Sequence, residues 1–171
     1  MKIRTDFVTN SSSSNFILAF KDDSDLKDFY AYCEYFDYKE MADFVKDLFK
    51  KDSLEDTTNR ERAEKVLYWY YTHTKKKELI EKKLESRKFD NIKDRFAAEE
   101  EYEATKEFKK AIEEHLKKTD YEEKKRILDE SQYFLNTRIW DTQGGLLYWA
   151  IRNGYIESEF WKWCLFVWNI G

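Results

Sequence analysis

The scarcity of turn-forming residues is the feature that most constrains how this chain can fold. Its 171 residues contain no proline and only four glycines. These two residues most often end helices and shape tight turns, so a chain that nearly lacks them favours long helices over a many-turned sandwich or barrel. Lysine, glutamate and leucine, which are good helix formers, recur throughout the sequence. We therefore predict a mainly α-helical protein with a small N-terminal β element.

The length of the chain is typical of one domain, which we predict to span residues 1–171. An aromatic content of 18% provides large buried areas, so a sizeable core is expected although 39% of the residues are charged. The predicted order is a β- and serine-rich arm at 1–20, acidic helices at 21–56, a long charged helical hairpin at 57–118, and a capped helix followed by an aromatic core segment at 119–171.

The segment 146–170 is the most aromatic part of the chain and holds four of its six tryptophans. Between residues 160 and 168 only Lys162 is charged. A segment that is apolar on all sides belongs to a core or an interface. We predict a C-terminal helix in the core, capped by Ser158. The alternative is a strand at 160–168 paired with 16–20, because periodicity cannot separate the two when both faces are apolar.

Apolar residues at helical spacing predict the helices between these ends. We expect one helix capped by Ser24, a break at Asp37 and a second helix up to residue 49. A long helix should run from Asn59 to about residue 88, and another over 92–116. The capping box at 119–122 predicts a further helix that continues through residues 134 and 135.

The first 20 residues contain two short β-prone runs, around residues 3–8 and 16–20, that flank seven small polar residues. Serine and asparagine side chains compete for backbone hydrogen bonds and favour turns and open loops. The opening KIRTDFVTNSSSSNFI resembles the N-terminal signature of a scattered set of small bacterial and phage proteins. These begin with a KIR-like start, then F-V-(S/T)-N, a serine run and F-(I/V). The resemblance covers the first 17 residues, and Asn15 stands where the commoner pattern has a fifth serine. It implies a bacterial or phage origin and assigns no chemistry.

Charge is distributed unevenly along the chain, although the net charge of −4 is mild. Residues 21–56 carry 12 acidic and 6 basic side chains, whereas residues 57–126 carry 20 basic and 17 acidic ones. An acidic lobe of this kind predicts a docking face for a protein partner; solvated helix faces are the simpler interpretation. The candidate partner-binding residues are Thr9, Asn10, Ser11, Ser12, Ser13, Ser14, Asn15, Asp22, Asp23, Asp25 and Asp28.

Basic residues concentrate in the segment 75–88, which holds seven basic and three acidic side chains. On one helix face they could meet phosphates, so nucleic-acid contact is a minor alternative for this segment. The interleaved glutamates instead favour ion pairs between residues three or four apart. The candidate phosphate-facing residues are Lys75, Lys76, Lys82, Lys83 and Arg87.

Catalytic and metal-binding patterns are missing from the sequence. His73 and His115 do not stand in zinc-ligand spacing, and no Walker loop, nucleophile elbow or dinucleotide glycine pattern occurs. We therefore predict no metal site, no cofactor and no catalytic residue, and we lean towards a non-enzyme. Cys33 and Cys164 are expected to be reduced thiols. With no secretion signal and no run of 18 apolar residues, we expect a cytoplasmic protein without a membrane partner.

Three functional hypotheses follow from these patterns. The leading one is a non-enzymatic protein–protein interaction factor, encoded by a phage or mobile element, that acts on a host or defence protein in the manner of an anti-CRISPR inhibitor. The second is a nucleotide- or phosphate-binding protein or enzyme that uses the serine tract as an anion site. The third is a structural homo-oligomer joined through the C-terminal aromatic residues.

Overall fold

The computed structural model describes residues 13–49, 57–140, 150, 155 and 157–170. Over these residues the protein is mainly helical and has one small three-stranded sheet, which confirms the predicted fold class. The elements are β1 (Ser13–Phe20), α1 (Asp23–Tyr35), α2 (Lys39–Phe49), α3 (Thr57–Leu84), α4 (Ile92–Glu103), α5 (Lys106–Leu116), α6 (Tyr121–Glu130), β2 (Tyr133–Trp140), a short 3-10 helix (Ser158–Lys162) and β3 (Cys164–Ile170).

The sheet has the order β2-β1-β3, and both outer strands run antiparallel to β1. β1 is therefore the central strand although it precedes its partners by more than 100 residues in the sequence. Leu18 lies opposite Leu135 on one side and Cys164 on the other. The register with β3 shifts by one residue between Ile17 and Leu18, as at a β-bulge.

The sequence of β1 explains its central place. Residues 16–20 read FILAF, an unbroken apolar run, and all five are at most 2% exposed. Successive side chains of a strand point to opposite faces, so a strand without alternation must be covered on both faces. Phe16, Leu18 and Phe20 belong to one core cluster with α1 and α2, which leaves Ile17 and Ala19 on the opposite face.

α1 and α2 cover one face of the sheet with aromatic side chains. Phe29 makes edge-on contacts with Phe20 at 5.2 Å and with Trp163 at 5.4 Å between ring centroids. Such edge-to-face pairs stabilise a core beyond the area they bury. The break between the two helices lies at Asp37, as expected, and this residue has a φ of 59°. The cap of α1 is Asp22, two residues before the predicted Ser24.

The start of α3 contacts the opposite face of the sheet. The guanidinium carbon of Arg60 lies 4.7 Å from the centre of the Phe134 ring. Its Nη2 donates a hydrogen bond of 2.9 Å to the carbonyl oxygen of Ser131, a buried residue just before β2. Phe134 pairs with Ala19 in the register, so this contact lies on the face that carries Ile17 and Ala19. One arginine thereby ties the first turn of a helix to the sheet.

The chain forms two compact units, one made of residues 1–63 and 130–171 and the other of residues 64–129. The second unit contains most of α3, all of α4 and α5, and nearly all of α6. α5 runs antiparallel to α3, because Glu107 lies near Lys83 whereas His115 lies near Tyr71. The number of independent folding domains stays a prediction.

The charged hairpin predicted at 57–118 is present, but its second arm is divided into α4 and α5. The division falls at Ala104 and Thr105, where Ala104 is the C-cap of α4 and Thr105 the N-cap of α5. The Thr105 Oγ1 accepts a hydrogen bond of 3.2 Å from the Phe108 N–H. A threonine side chain that satisfies a free helix-start amide favours a new helix over the continuation of the old one.

The C-terminal aromatic segment lies in the core as predicted, but its secondary structure differs from the preferred helix. A 3-10 helix ends at Lys162 and β3 follows, so the alternative of a strand paired with 16–20 is the one observed. Phe160 and Trp163 are at most 3% exposed. The aromatic and β-branched residues of β3 fit a strand, and the edge of β1 that β2 leaves open offers ladder hydrogen bonds that a helix would forgo.

The helix predicted to continue through residues 134 and 135 ends earlier, at Glu130, and Phe134 and Leu135 belong to β2. Its start also differs from the capping box. The Asp120 carbonyl accepts the first helical bond, from the Lys124 N–H, so the helix begins one residue later than the box places it. The Thr119 Oγ1 still satisfies a helix-start amide, because it accepts a hydrogen bond of 3.3 Å from the Tyr121 N–H. Polar residues 131 and 132 separate this helix from β2. The apolar residues at the start of β2 fit the spacing of a helical stripe as well as the apolar run of a buried strand.

Candidate interaction surface

Three of the four predicted acidic contact residues hold the start of α1 in place. The Asp22 Oδ1 accepts hydrogen bonds from the N–H groups of Ser24, at 2.8 Å, and Asp25, at 3.1 Å. The Asp25 Oδ2 accepts one from the Lys21 N–H at 2.9 Å. The Asp23 Oδ1 accepts one from the Tyr133 hydroxyl at 2.7 Å. These carboxylates are structural as well as acidic, so changing them alters more than surface charge.

Asp28 is the fourth predicted residue, and it lies on the outer face of α1. Asp28, Ala31 and Tyr35 are exposed and follow one another at helical spacing, which places them on one stripe. Tyr35 is 83% exposed, the largest value among the exposed hydrophobic side chains of the described residues. An exposed tyrosine among carboxylates is a common anchor of protein–protein interfaces, because its ring is apolar and its hydroxyl can bond.

A groove of about 500 Å³ lies between α1 and α2 beside this stripe. Tyr30 is half-buried there, and the Lys46 Nζ lies 5.0 Å from the centre of its ring and 3.9 Å from the Asp43 Oδ1. Burial, with a smaller contribution from Cys33, raises the pKa of Tyr30 to about 12, so its hydroxyl stays protonated and can donate a hydrogen bond. The lining residues, here named the α1–α2 groove, are Lys27, Tyr30, Ala31, Glu34, Lys39, Ala42, Asp43 and Lys46.

The surface around the groove is acidic. Residues 21–49 carry nine carboxylates and four lysines. Eight of these carboxylates are exposed and Asp25 is half-buried. Three of the lysines, Lys27, Lys39 and Lys46, line the groove. Lys46 pairs with Asp43, and Lys39 pairs with Asp37 at 3.3 Å. The lobe therefore offers a negative surface with a shallow polar groove.

The serine tract divides between described and undescribed residues. Ser13, Ser14 and Asn15 begin β1 and lie in register with both neighbouring strands. Backbone amides in a central strand bond to those neighbours, so they are not available to surround an anion. Thr9, Asn10, Ser11 and Ser12 lie outside the described residues. A backbone anion site in this tract would have to be formed by these four.

The predicted phosphate-facing lysines of α3 are largely paired within the protein. Lys75 bonds to Glu78 at 2.8 Å, Lys76 lies 3.8 Å from Glu103, and Lys83 lies 3.4 Å from Glu107. Lys76 and Lys83 also lie over the rings of tyrosines 68 and 102. Lys82 and Arg87 are exposed. The Lys75–Glu78 pair is the pairing within one helix that the interleaved glutamates favour, whereas Glu103 and Glu107 belong to α4 and α5. Together these pairs offset part of the positive charge of the segment.

Both histidines contact backbone carbonyls. The His115 Nε2 donates a hydrogen bond of 3.0 Å to the Tyr71 carbonyl oxygen. The His73 ring stacks on Trp69 at 4.6 Å, and its Nδ1 lies 3.0 Å from the Tyr70 carbonyl oxygen. Within the described ranges, no group of three or more His, Cys, Asp or Glu residues is arranged to hold a metal ion.

A pair of tyrosines converges on one carboxylate in the first unit, and sequence reasoning missed it. The Tyr32 hydroxyl donates a 2.6 Å hydrogen bond to the Glu157 Oε2, and the Tyr38 hydroxyl lies 3.3 Å from the same atom. Burial, the hydrogen bond to Glu157 and the negative charge of that group raise the pKa of Tyr32 above its usual range. The partners are more than 100 residues apart in sequence, so no local pattern could have indicated the contact.

No protein-family model, no curated protein and no solved structure matches this chain. Among the helices of the described residues, none combines the length and the apolar character that a membrane crossing requires.

Proposed function

We propose that this protein is an interaction factor that binds a basic partner protein through the acidic lobe formed by α1 and α2. The observation that carries the proposal is the exposed carboxylate surface of residues 21–49 around the α1–α2 groove. Surfaces of opposite charge accelerate encounter and fix the orientation of two proteins. A partner rich in lysine and arginine on its contacting face is the chemistry that this lobe fits.

Two further features support docking at this lobe. Tyr35 provides an exposed aromatic anchor next to Asp28 and Glu34. The α1–α2 groove beside it is a concave surface at which Tyr30 can donate a hydrogen bond to a partner and Glu34 can accept one. An aromatic residue with adjacent carboxylates matches arginine especially well, because the guanidinium both stacks on rings and pairs with carboxylates.

The biological setting is also part of the proposal. The opening segment resembles a signature found in small bacterial and phage proteins, and a small acidic factor fits a phage or mobile-element product. We propose that the partner is a host or defence protein, as for an anti-CRISPR inhibitor. A positively charged nucleic-acid-binding channel of such a protein is a surface that an acidic lobe would complement.

The test is affinity capture from bacterial lysate with variants that change the charge of the lobe and leave its hydrogen bonds intact. Asp28→Lys with Glu34→Lys reverses two exposed charges, whereas Asp22, Asp23 and Asp25 are left unchanged because they bond to the backbone or to Tyr133. The matched control is Glu85→Lys with Glu101→Lys, two exposed residues of the second unit. Melting temperatures of both variants should stay within about 2 °C of wild type.

We expect wild type and the control to retain one stoichiometric protein that the lobe variant loses. Retention by the lobe variant, or the absence of any captured protein, would contradict the proposal. A third variant in which Thr9, Asn10, Ser11 and Ser12 are replaced by alanine tests the serine tract without touching β1. Loss of the partner in that variant alone would place the contact at the tract and not at the lobe.

A further inference from the structure

The α1–α2 groove carries a charge opposite to that of the lobe around it. Three of the four lysines of residues 21–49 line the groove, but only two of the nine carboxylates do. The groove therefore has a net charge of +1, whereas the whole segment has a net charge of −5. The charged lining residues are Lys27, Glu34, Lys39, Asp43 and Lys46.

Helical spacing explains why the lysines meet in the groove. The lining residues are Lys27, Tyr30, Ala31 and Glu34 on α1, and Lys39, Ala42, Asp43 and Lys46 on α2. On both helices the steps between them are three, one and three positions, which is the spacing of a single helix face. The fourth lysine, Lys21, precedes α1 and does not line the groove.

Two ammonium groups border Tyr30, one from each helix. Lys27 lies one helical turn before Tyr30 on α1, and the Lys46 Nζ lies 5.0 Å from the centre of the Tyr30 ring. The Asp43 Oδ1 offsets only part of this charge, because it lies 3.9 Å from the Lys46 Nζ and both side chains are exposed, where ion pairs are weak. Lys27 forms no ion pair with the residues that the structure describes.

Tyr30 adds a neutral hydrogen-bond donor to these two cations. Its side chain is half-buried, and within the described part of the chain its hydroxyl makes no hydrogen bond. Burial raises the pKa of Tyr30 to about 12, so the hydroxyl keeps its proton at neutral pH. A partly buried donor without a protein acceptor favours an acceptor that a ligand supplies.

The type of cation favours phosphate over carboxylate as the group that fits here. Residues 21–49 contain no arginine, whose planar fork matches a carboxylate through two parallel hydrogen bonds. Lysine acts as a point charge and is a common phosphate binder. A phosphate monoester carries about two negative charges at pH 7 and has three acceptor oxygens, so it can contact both ammonium groups and the Tyr30 hydroxyl together.

The size of the groove indicates that this phosphate belongs to a small organic molecule. The groove volume of about 500 Å³ lies within the range of small-molecule sites, about 300–1,000 Å³. Ala31 and Ala42 line it from the two helices, and their short side chains leave room for an apolar group beside the Tyr30 ring.

We propose that the α1–α2 groove binds a small organic phosphate. Lys27 and Lys46 hold the phosphate, and the Tyr30 hydroxyl donates a hydrogen bond to one of its oxygens. The organic part packs between Ala31 and Ala42. The site goes beyond partner capture by the acidic lobe, because it needs no second protein. It also differs from an anion site in the serine tract, because side chains of two helices form it.

A titration of the purified full chain with phenyl phosphate tests the site. Amide signals in NMR spectra report weak binding and its place in the chain, and low ionic strength leaves the lysine charges unscreened. Benzoate carries the same ring on a carboxylate, and inorganic phosphate lacks the ring. We expect phenyl phosphate to shift the signals of the groove residues and to bind at least about fivefold more tightly than either control.

Matched lysine variants separate the groove from the charge of the whole lobe. Lys27→Gln and Lys46→Gln each remove one cation from the groove and should weaken binding about tenfold. Lys21→Gln makes the same change outside the groove and should leave the dissociation constant within about twofold. Tyr30→Phe keeps the ring and should weaken binding about threefold to tenfold. Melting temperatures should stay within about 2 °C of wild type, because none of these polar groups is fully buried.

Three results would overturn the proposal. One is a set of groove signals that does not respond to phenyl phosphate. Another is benzoate or inorganic phosphate that binds as tightly as phenyl phosphate. The third is a loss of affinity in Lys21→Gln as large as that in Lys27→Gln, which would show attraction by overall charge alone. The titrations contain no partner protein, so their outcome is separate from that of partner capture.

Discussion

Glu157 illustrates how a single side chain can join distant parts of the sequence. It receives hydrogen bonds from Tyr32 in α1 and from Tyr38 just before α2. Its own backbone lies directly before the 3-10 helix that leads into β3. Because both tyrosines are at most 8% exposed, the carboxylate replaces water as the partner of two buried hydroxyls. The contact therefore fixes the approach to the last strand against the two helices of the first unit.

We predict that Tyr32→Phe lowers the free energy of unfolding by about 1.5–3 kcal/mol, because it removes a short hydrogen bond to a charged group and leaves only the longer bond from Tyr38. Tyr35→Phe makes the same chemical change at an 83% exposed residue and should leave stability within about 0.5 kcal/mol. Urea denaturation of the three proteins measures the difference. Equal stabilities for the two variants would contradict the role given to Glu157.

At the scale of elements, the sequence predicted the helices but did not decide the strands β2 and β3. The helices α1, α2 and α3 follow from apolar stripes at three- and four-residue spacing, and their bounds differ from the predicted ones by a few residues. β3 was open between helix and strand because both of its faces are apolar. β2 was missed because Phe134 and Leu135 continue the helical stripe that begins at Ile127, and only long-range pairing with β1 decides in favour of a strand.

The joint between α3 and the sheet depends on Arg60. We predict that Arg60→Ala lowers the free energy of unfolding by about 1–3 kcal/mol, because the carbonyl of buried Ser131 loses a charged donor and the Phe134 ring loses the guanidinium that lies over it. Arg62→Ala removes an exposed arginine from the same helix and serves as the control, with an expected change below about 0.5 kcal/mol. Thermal or urea unfolding checks the pair. A destabilisation by Arg62→Ala as large as that by Arg60→Ala would contradict the role given to this contact.

At the scale of the whole molecule, composition predicted the character of the fold and of the candidate surface, but not the roles of its residues. The lack of proline and glycine indicated helices, and the charge count over residues 21–56 indicated the acidic lobe. The predicted acidic residues have two different roles in the structure. Asp22 caps a helix by accepting backbone hydrogen bonds, whereas Asp28 lies on the exposed stripe of α1. The α1–α2 groove could not be located from composition, since it depends on which helix faces become buried.

The buried tyrosines and Cys33 make the stability of the protein sensitive to high pH. Burial raises the pKa of Cys33 to about 12 from 9.0, and that of Tyr30 to about 12 from 10.0. A group whose pKa is higher in the folded state contributes stability that is fully present below its unfolded pKa, since at higher pH the unfolded chain loses its proton first. We therefore predict a free energy of unfolding that begins to fall near pH 9 and declines further towards pH 12.

Urea denaturation at a series of pH values measures this decline, and the ultraviolet absorbance of tyrosinate shows when the hydroxyls ionise. We expect a steep rise in this absorbance, from the buried hydroxyls, at the pH at which the fold is lost. A stability that stays constant between pH 8 and pH 12 would contradict the burial of these groups.

The central position of β1 has a consequence for the order in which the protein takes shape during synthesis. β1 is made early, but its two partners begin at Tyr133 and Cys164. At typical synthesis rates, roughly ten seconds pass before both can pair with it. The second unit is continuous in sequence and is complete by Asp129, so it can fold while β1 still has two open edges. β1 therefore leaves the ribosome well before either of its partner strands, and the apolar FILAF run needs shielding from other nascent chains throughout that interval.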